Sequence, residues 1–397
     1  MHCILNFHSG LSWNSLKNRR YDKEFDIKKY YEILCPPQEY PDFLDKYIAL
    51  PSLQRLNGIS LFCGTDWTNL YNNHIKYSRL DHSIGVALII WHFTKDKIQT
   101  LAGLLHDIST PVFSHVTDFR KGDALTQTAT ESLTALFIQK DEKLQNYLYK
   151  DGINPKDVED YHNYPICDNE IPGLSADRLE YSFPSGIALD ASWDLKTIKK
   201  CYDNITIFTS QNNQNKEDNC IELGFSDIQE AELYCYNFCS MGHILLLNEN
   251  KLTLQMLGQI MNMAVELKIL NEEEFFTLSE AQVINEIEKW ILNNRVLIYN
   301  EDNAHRFAVY YYTFRNMTEI LHTNEKQPDD LYFNVSLNVK KRYINPLVKN
   351  NGKIYRLSEI SSTAANYIQS FNDFSDTLYG SVKLIINLDD YLNKTLK

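Results

Sequence analysis

The stretch that decides the fold is RLDHSIGV at 79–86, followed by LLHD at 104–107 and PVFSHVTD at 111–118. Histidine and aspartate recur through these segments, and imidazole and carboxylate are side chains that hold divalent metal ions. Further groups able to act as acids or bases follow closely in sequence. The cluster therefore predicts a metal-assisted hydrolase.

Two apolar segments flank these polar residues and predict how they meet. Residues 98–105 have apolar side chains at helical spacing and end at His106 and Asp107, which indicates a buried helix. A second helix is predicted over 84–93, directly after His82. A buried carboxylate without a counter-charge is very costly, and a metal ion satisfies it. We therefore expect His82 to meet His106 and Asp107. The alternative is that the histidines are helix caps or core polar groups.

The same segments resemble the HD-domain phosphohydrolases. The resemblance is greatest to the deoxynucleoside triphosphate triphosphohydrolase branch, which includes bacterial dGTPases and the SAM-and-HD-domain enzyme of animal cells. In that branch a Gln-Arg-Leu element precedes Arg-x-x-His-Ser-x-Gly-Val, then His-Asp, then Pro-Phe-Ser-His. This chain has QRL at 54–56, RLDHSIGV at 79–86, HD at 106–107 and PVFSH at 111–115. An ordered series of motifs is far more specific than one doublet.

The resemblance implies a metal site with four ligands. Three of them are His82, His106 and Asp107, and a later aspartate, Asp177, completes the set. Two imidazole nitrogens and two carboxylates suit one divalent ion, with open positions for water and a phosphate oxygen. Mn, Fe, Mg, Ni and Zn are all candidates for that ion.

Substrate contacts are also implied by the resemblance, from Arg79, Arg178 and Tyr181. Arg79 precedes the ligand His82 by three residues, and a guanidinium suits a phosphate group better than an ammonium does. Tyr181 is four residues after Asp177, so the two share one helical face. The alternative for this second segment is a solvated face of a surface helix.

The expected catalytic residues are His115, Asp118 and Glu131. His115 and Asp118 are three residues apart, so the carboxylate can orient the imidazole and raise its basicity. We expect His115 to assist proton transfer, with Asp118 behind it and Glu131 as a further acidic group. The alternative for His115 is a surface histidine near a helix start.

Two departures from the family pattern affect this chemistry. Thr110 and Thr130 stand where relatives carry histidine, and threonine cannot transfer a proton near pH 7. The resemblance still implies hydrolysis of a deoxynucleoside triphosphate to a deoxynucleoside and triphosphate. Alternatives are a nucleoside monophosphate phosphatase, another phosphoesterase, or a catalytically weak nucleotide sensor.

Two further segments have open interpretations. In the animal enzyme an activator site surrounds the Gln-Arg-Leu element, but the flanking Ala49 and Asn57 differ here. We therefore interpret Gln54 and Arg55 as structural helix residues. The basic run KKR at 340–342 either faces a nucleotide or is a solvated ribbon.

Composition agrees with a soluble enzyme. The chain has 397 residues, a net charge of -13 and 44% hydrophobic residues, enough for a large core. The negative charge argues against general nucleic-acid binding, and no apolar run approaches the roughly 18 residues of a membrane span. We expect a cytoplasmic protein with a nucleotide substrate, no membrane partner and a possible homo-oligomer.

The predicted fold is mainly α. By resemblance it is an HD-domain helical bundle, with a small α+β C-terminal lobe and a β-hairpin insertion. The expected divisions are an N-terminal extension (1–40), the HD catalytic core (41–200), the hairpin insertion (201–226), a helical continuation of the core (227–325) and the C-terminal lobe (326–397).

Overall fold

The fold is mainly helical with two small sheets, as the sequence predicts. The computed structural model of the chain describes residues 25–73, 75–125, 133–211 and 219–392. The α-helices are α1 (Ile27–Leu34), α2 (Leu44–Ile48), α3 (Pro51–Gln54), α4 (Arg79–Thr94), α5 (Lys97–Leu105), α6 (Val116–Arg120), α7 (Thr134–Lys140), α8 (Glu142–Lys150), α9 (Ala176–Leu189), α10 (Leu195–Tyr202), α11 (Ile228–Leu246), α12 (Asn248–Glu266), α13 (Glu280–Asn293), α14 (Arg295–Asn300), α15 (Asp302–Asn316), α16 (Leu357–Ile360), α17 (Ser362–Asp373) and α18 (Asp389–Leu392). The strands are β1 (Ile205–Gln211), β2 (Asn219–Phe225), β3 (Leu321–Thr323), β4 (Tyr332–Val335), β5 (Leu347–Asn350), β6 (Lys353–Arg356) and β7 (Tyr379–Lys383).

The centre of the fold is the pair of helices α4 and α5. α4 begins with a capping box, in which the side chains of Ser78 and Asp81 each accept a hydrogen bond from the other residue's backbone N–H. It ends at Lys95, which adopts a left-handed conformation, and the side chain of Asp96 then caps α5. Because this connection is so short, the two helices pack against each other along their lengths. The end of α5 therefore returns to the start of α4.

Two apolar cores support this pair. The larger core surrounds it: α1 and α9 pack on α4, and α11 packs on α9. Its largest buried side chains include Tyr30, Phe183, Trp193 and Tyr234. The second core is built around α12, which packs on α6 and α15. Side chains of both cores line the cleft described below, so the cleft lies where the two cores meet.

The expected hairpin forms, but it is part of a larger sheet. β1 and β2 are antiparallel, and β2 then pairs in parallel with β5, which is antiparallel to β6. Gly224 on β2 permits this pairing, because a Cβ atom there would lie 2.5 Å from the carbonyl oxygen of Leu347. Part of the predicted insertion therefore shares one sheet with the predicted C-terminal lobe. The second sheet has the order β3-β7-β4.

The described part of the N-terminal extension packs on the core. Residues 1–24 lie outside the described residues, while α1 packs on α4 and α10. Tyr30 of α1 is fully buried there. Within the described ranges, no helix combines the length and the apolar character needed to cross a membrane.

Candidate metal centre and cleft

The four predicted ligands lie at one end of the α4–α5 pair. His82 is on the first turn of α4, His106 and Asp107 directly follow α5, and Asp177 is on the first turn of α9. The Nε2 atom of His82 lies 3.0 Å from Oδ1 of Asp177, and Nε2 of His106 lies 3.8 Å from the same oxygen. Oδ2 of Asp107 lies 3.5 Å from Nε2 of His106 and 4.0 Å from Nε2 of His82.

These distances fit the donor atoms of a single divalent ion. Imidazole nitrogens and carboxylate oxygens bind such ions at about 2.0–2.2 Å, so donors around one ion lie about 3–4 Å apart. His82, His106 and Asp107 are all buried and close enough to share an ion. The donor set of the described residues therefore suits the expected divalent metal cofactor.

Both histidine rings are fixed through their Nδ1 atoms. Nδ1 of His106 lies 2.7 Å from the carbonyl oxygen of Gly103, and Nδ1 of His82 lies 2.5 Å from Oε2 of Glu180. An Nδ1–H that donates to an oxygen leaves the Nε2 lone pair available as a metal ligand. The two rings therefore present Nε2 to the common point.

The contact of Glu180 with His82 was not predicted from the sequence. The fully buried carboxylate of Glu180 accepts hydrogen bonds from the hydroxyls of Tyr30 and Tyr77, at 3.1 and 2.5 Å, in addition to its contact with His82. Gly85 leaves the space for this carboxylate, because a Cβ atom there would lie 2.4 Å from Oε1 of Glu180. The available signal was an acidic residue three positions after the predicted aspartate ligand, on the same helical face.

Asp107 is held by two neighbours besides the histidines. Its Oδ1 accepts a hydrogen bond from the hydroxyl of Thr110 at 2.8 Å, and its Oδ2 accepts one from Nη1 of Arg79 at 2.9 Å. Burial alone would raise the pKa of Asp107, but the charges of Arg79 and His106 hold that pKa well below its usual range. Thr110, which stands where the resembling sequences carry histidine, thus orients a candidate ligand.

His115 and Asp118 contact each other as predicted. Nδ1 of His115 lies 2.9 Å from Oδ2 of the fully buried Asp118. Phe113 and Ser114, directly before His115, both adopt left-handed conformations, with φ of 61° and 51°. Such strained backbone is common where a side chain is held for function. The loop therefore holds His115 at the edge of the cleft.

A cleft of about 220 Å³ opens from the candidate ligands. Arg79, Tyr181 and His115 line it beside them, and Lys340 and Arg342 of the basic run also line it. Lys341 differs, because its Nζ donates to backbone carbonyls of the segment at 372–374. The basic run is therefore divided: two of its three residues face the cleft.

Arg178 does not reach the cleft, contrary to the prediction. Its guanidinium is buried and donates to Oδ1 of Asn169 at 2.7 Å and to the carbonyl oxygen of Gly173 at 3.1 Å, and it lies 3.0 Å from Oδ1 of Asp168. Because the Arg178 guanidinium points toward residues 168–173, these contacts fix the segment before α9. Glu131 and Thr130 lie outside the described residues.

Gln54 and Arg55 make structural contacts. Nη2 of Arg55 donates to the carbonyl oxygens of Ile108 and Thr110, at 3.0 and 2.8 Å, and Nε2 of Gln54 donates to the carbonyl oxygen of Ile48. Arg55 therefore supports the loop that follows the His106-Asp107 doublet, which agrees with the structural interpretation.

Comparison with known proteins gives two similar curated sequences. No family model matches the chain. It is 29% identical over 136 residues to the metal-dependent phosphohydrolase cns2 of Cordyceps militaris, a match that covers 34% of this chain and 38% of that relative. It is 30% identical over 142 residues to the uncharacterized protein YdhJ of Bacillus subtilis, with 35% of this chain and 42% of that relative covered. The chain thus spans about two fifths of the length of each of these relatives.

Solved structures with the same fold cover nearly the whole chain. A hypothetical protein from Aquifex aeolicus aligns with a TM-score of 0.58 and 16% identity, over 90% of this chain and 96% of that one. A phosphohydrolase from Bacteroides thetaiotaomicron aligns with a TM-score of 0.52 and 12% identity, over 86% and 95%. At such low identity these likenesses show a common fold, and the site must be judged from its own residues.

Proposed function

We propose that this chain is a metal-dependent phosphohydrolase of the HD type, in which His82, His106, Asp107 and Asp177 bind one divalent ion. The observation that carries the proposal is the approach of both imidazole Nε2 atoms to Oδ1 of Asp177, at 3.0 and 3.8 Å. The similarity to a relative named as a metal-dependent phosphohydrolase supports the same class of reaction. When bound, the ion would neutralise phosphoryl charge and lower the pKa of a bound water.

Phosphate binding is assigned to donors beside the ligands. Arg79 lines the cleft and can direct its planar guanidinium at a phosphoryl oxygen. Arg342 adds a second positive charge, close enough to influence both Tyr181 and His115. Burial raises the pKa of Tyr181 to about 12, so its hydroxyl stays protonated and can donate to the phosphate. Together these groups compensate the charge of a bound phosphate ester.

Proton transfer is assigned to His115. Burial lowers the pKa of this imidazole from its ordinary value, Arg79 and Arg342 lower it further, and the hydrogen bond to Asp118 opposes them. The ring is therefore neutral near pH 7 and able to accept a proton from an attacking water. Asp118 fixes Nδ1 and leaves Nε2 for this step. Glu131 is retained as a further acidic group on the strength of the resemblance.

The nucleotide substrate rests on the resemblance to the triphosphohydrolase branch. On that basis the first candidate substrate is a deoxynucleoside triphosphate, cleaved to deoxynucleoside and triphosphate. Nucleoside monophosphates and other phosphoesters form the second group of candidates, because the metal ligands and phosphate donors serve any such ester equally well. A nucleotide sensor is the non-enzymatic alternative.

The test uses full-length protein loaded with Mn²⁺, Mg²⁺, Fe²⁺ or Ni²⁺. The substrates are deoxy- and ribonucleoside tri- and monophosphates together with phenyl phosphate, and released phosphate and triphosphate are measured. We expect metal-dependent release that is lost in His106→Ala and in Asp107→Ala. Mn²⁺ at 100 times its Kd should also raise the free energy of unfolding of the wild-type protein by about 2.7 kcal/mol. The free energy of unfolding of both variants should not change on adding Mn²⁺. Nucleotide binding without release under any metal would contradict the enzyme and favour the sensor.

A further inference from the structure

Among these candidate substrates, we propose that the cleft selects phosphate monoesters of elongated, apolar alcohols over nucleotides. This inference rests on the proposed phosphohydrolase function, because the apolar part of the cleft begins at the candidate metal ligands. It concerns the alcohol part of the substrate, which remains after the phosphate is removed. Neither the candidate metal ligands nor the phosphate donors specify this alcohol.

One wall of the cleft is a single face of α9. Asp177, Tyr181, Ser185 and Leu189 line the cleft and follow one another at intervals of four residues. Residues with this spacing lie above one another on a helix. At 1.5 Å per residue this face spans roughly 18 Å. The cleft therefore extends well beyond the phosphate position, along the axis of α9.

The adjoining wall comes from α11, which packs against α9. Phe238, Met241, Gly242 and Leu245 line the cleft and also share one helical face. Phe371 of α17 closes the wall, because a Cβ atom at Gly242 would lie 2.8 Å from its ring. The far part of the cleft is thus bounded mainly by carbon atoms.

Arg79, His115 and Arg342 are charged or titratable lining residues that lie near the candidate ligands. Residues 182–189, which continue α9 beyond Tyr181, contain no charged side chain. Of the polar residues that line the far part, Asn250 has its Nδ2 donating to the carbonyl oxygen of Leu245 at 2.9 Å. A nucleobase placed there would lose hydrogen bonds to water, at about 1–3 kcal/mol for each unsatisfied group. An alkyl or polyprenyl chain has no such groups and gains from burial.

The available space agrees with an elongated group. The cleft volume is about 220 Å³, whereas a void of roughly 10–15 Å³ measured in this way holds one water. The cleft can therefore hold a chain of many carbons in addition to a phosphate.

The experiment measures kcat/KM of the Mn²⁺-loaded protein for butyl, octyl and dodecyl phosphate, below their micelle concentrations. Phenyl phosphate, a deoxynucleoside monophosphate and its triphosphate are measured alongside. We expect kcat/KM to rise about two- to fourfold for each methylene that becomes buried. Calorimetry with the matching alkyl phosphonates, which are not hydrolysed, should give Kd values that fall in the same order. This binding readout does not depend on turnover.

A charge introduced at the far end of the cleft tests whether the alkyl chain binds there. Leu245 is 39% exposed on α11, and Leu292 on α13 is 36% exposed and does not line the cleft. Leu245→Arg should lower the preference for dodecyl over phenyl phosphate about tenfold, because the guanidinium stands where the chain would lie. The matched control Leu292→Arg should leave this preference unchanged.

The outcomes separate the two proposals. Two results would overturn the inference and leave the phosphohydrolase function intact. In the first, phosphate esters are hydrolysed but kcat/KM does not depend on alkyl chain length. In the second, kcat/KM is higher for nucleotides than for dodecyl phosphate. An unchanged preference in Leu245→Arg would also overturn the inference. No metal-dependent release from any substrate would overturn the proposed function and the inference with it.

Discussion

Glu180 holds His82 through a hydrogen bond of 2.5 Å from Nδ1 of the imidazole to Oε2 of the carboxylate, in the interior of the protein. The hydroxyls of Tyr30 and Tyr77 donate to the other carboxylate oxygen, so the buried charge is compensated. Because a carboxylate behind Nδ1 fixes the ring and increases the basicity of Nε2, Glu180 is a positioning residue for the metal centre.

Removal of this charge should weaken metal binding. We expect Glu180→Gln to raise the Kd for Mn²⁺ about 10- to 100-fold, because the neutral amide no longer polarises the His82 ring. Calorimetric titration of the metal-free protein measures this change. The control is Glu230→Gln, another buried glutamate, which pairs with Lys200. Equal Kd values for wild type and Glu180→Gln would contradict the positioning role.

Gly85 should be sensitive for the same reason. A Cβ atom at this position would lie 2.4 Å from Oε1 and 2.7 Å from Cγ of Glu180. We expect Gly85→Ala to destabilise the protein by about 1–3 kcal/mol and to weaken Mn²⁺ binding, because the carboxylate must move. In Gly380→Ala, on β7, the new atom would meet Cβ of Asn248 at 2.6 Å, so only stability should change. Urea unfolding and metal titration distinguish the two glycine variants. Equal Mn²⁺ affinities of the wild-type protein and Gly85→Ala would refute the expectation.

His115 should affect turnover and leave metal binding intact. We expect His115→Gln to lower kcat about 10²- to 10⁴-fold, since general base catalysis by a placed imidazole contributes this much. The Kd for Mn²⁺ should remain within twofold of the wild-type value, roughly the precision of such a titration. Steady-state kinetics and calorimetry check both statements. A wild-type kcat in the variant would remove His115 from the mechanism.

The pH profile should report the lowered pKa of His115. A base must be neutral to act, so kcat/KM should fall only as pH drops below the ordinary histidine value of about 6.5. The hydrogen bond that Nδ1–H of His115 donates to Asp118 raises this pKa and opposes burial, Arg79 and Arg342. In Asp118→Asn the acidic limb should therefore move to still lower pH. A shift toward higher pH in this variant would contradict the assignment.

A second cluster away from the cleft predicts pH-dependent stability. Nδ1 of His322 lies 3.0 Å from Oδ1 of Asp376, and Nε2 lies 2.9 Å from Oε1 of Glu249. Hydrogen bonds to Asp376 and Glu249 raise the pKa of His322 to about 10. Because the folded-state pKa exceeds the unfolded value, this stabilisation is complete below about pH 6.5 and is lost as pH rises through about 10.

His322→Gln should accordingly be less stable than wild type near pH 6, by about 1 kcal/mol, since solvent partly screens the ring. The difference should shrink as pH rises toward 10. Urea unfolding across this range measures it. The control is His305→Gln, whose imidazole bonds the Ile298 carbonyl oxygen. A difference that grows with pH would contradict the predicted sign.

Local sequence was sufficient to predict the central helices and the approach of the candidate ligands that they carry. The caps of α4, α5 and α9 and the spacing of their apolar residues are properties of adjacent residues. A short connection between α4 and α5 also requires that His82 and His106 meet at one end of the pair. The mainly α fold was predictable for the same reason.

Contacts between distant residues were decided by the tertiary structure. Glu180 is 98 positions from His82, and its charged side chain in an amphipathic segment is equally typical of a solvated face. Arg178 turns to Asn169, away from the cleft, and the segment at 340–342 divides between the cleft and the 372–374 backbone. Propensity and periodicity report on neighbours within a few turns, whereas burial and pairing of these charges depend on elements that meet only when the whole chain packs.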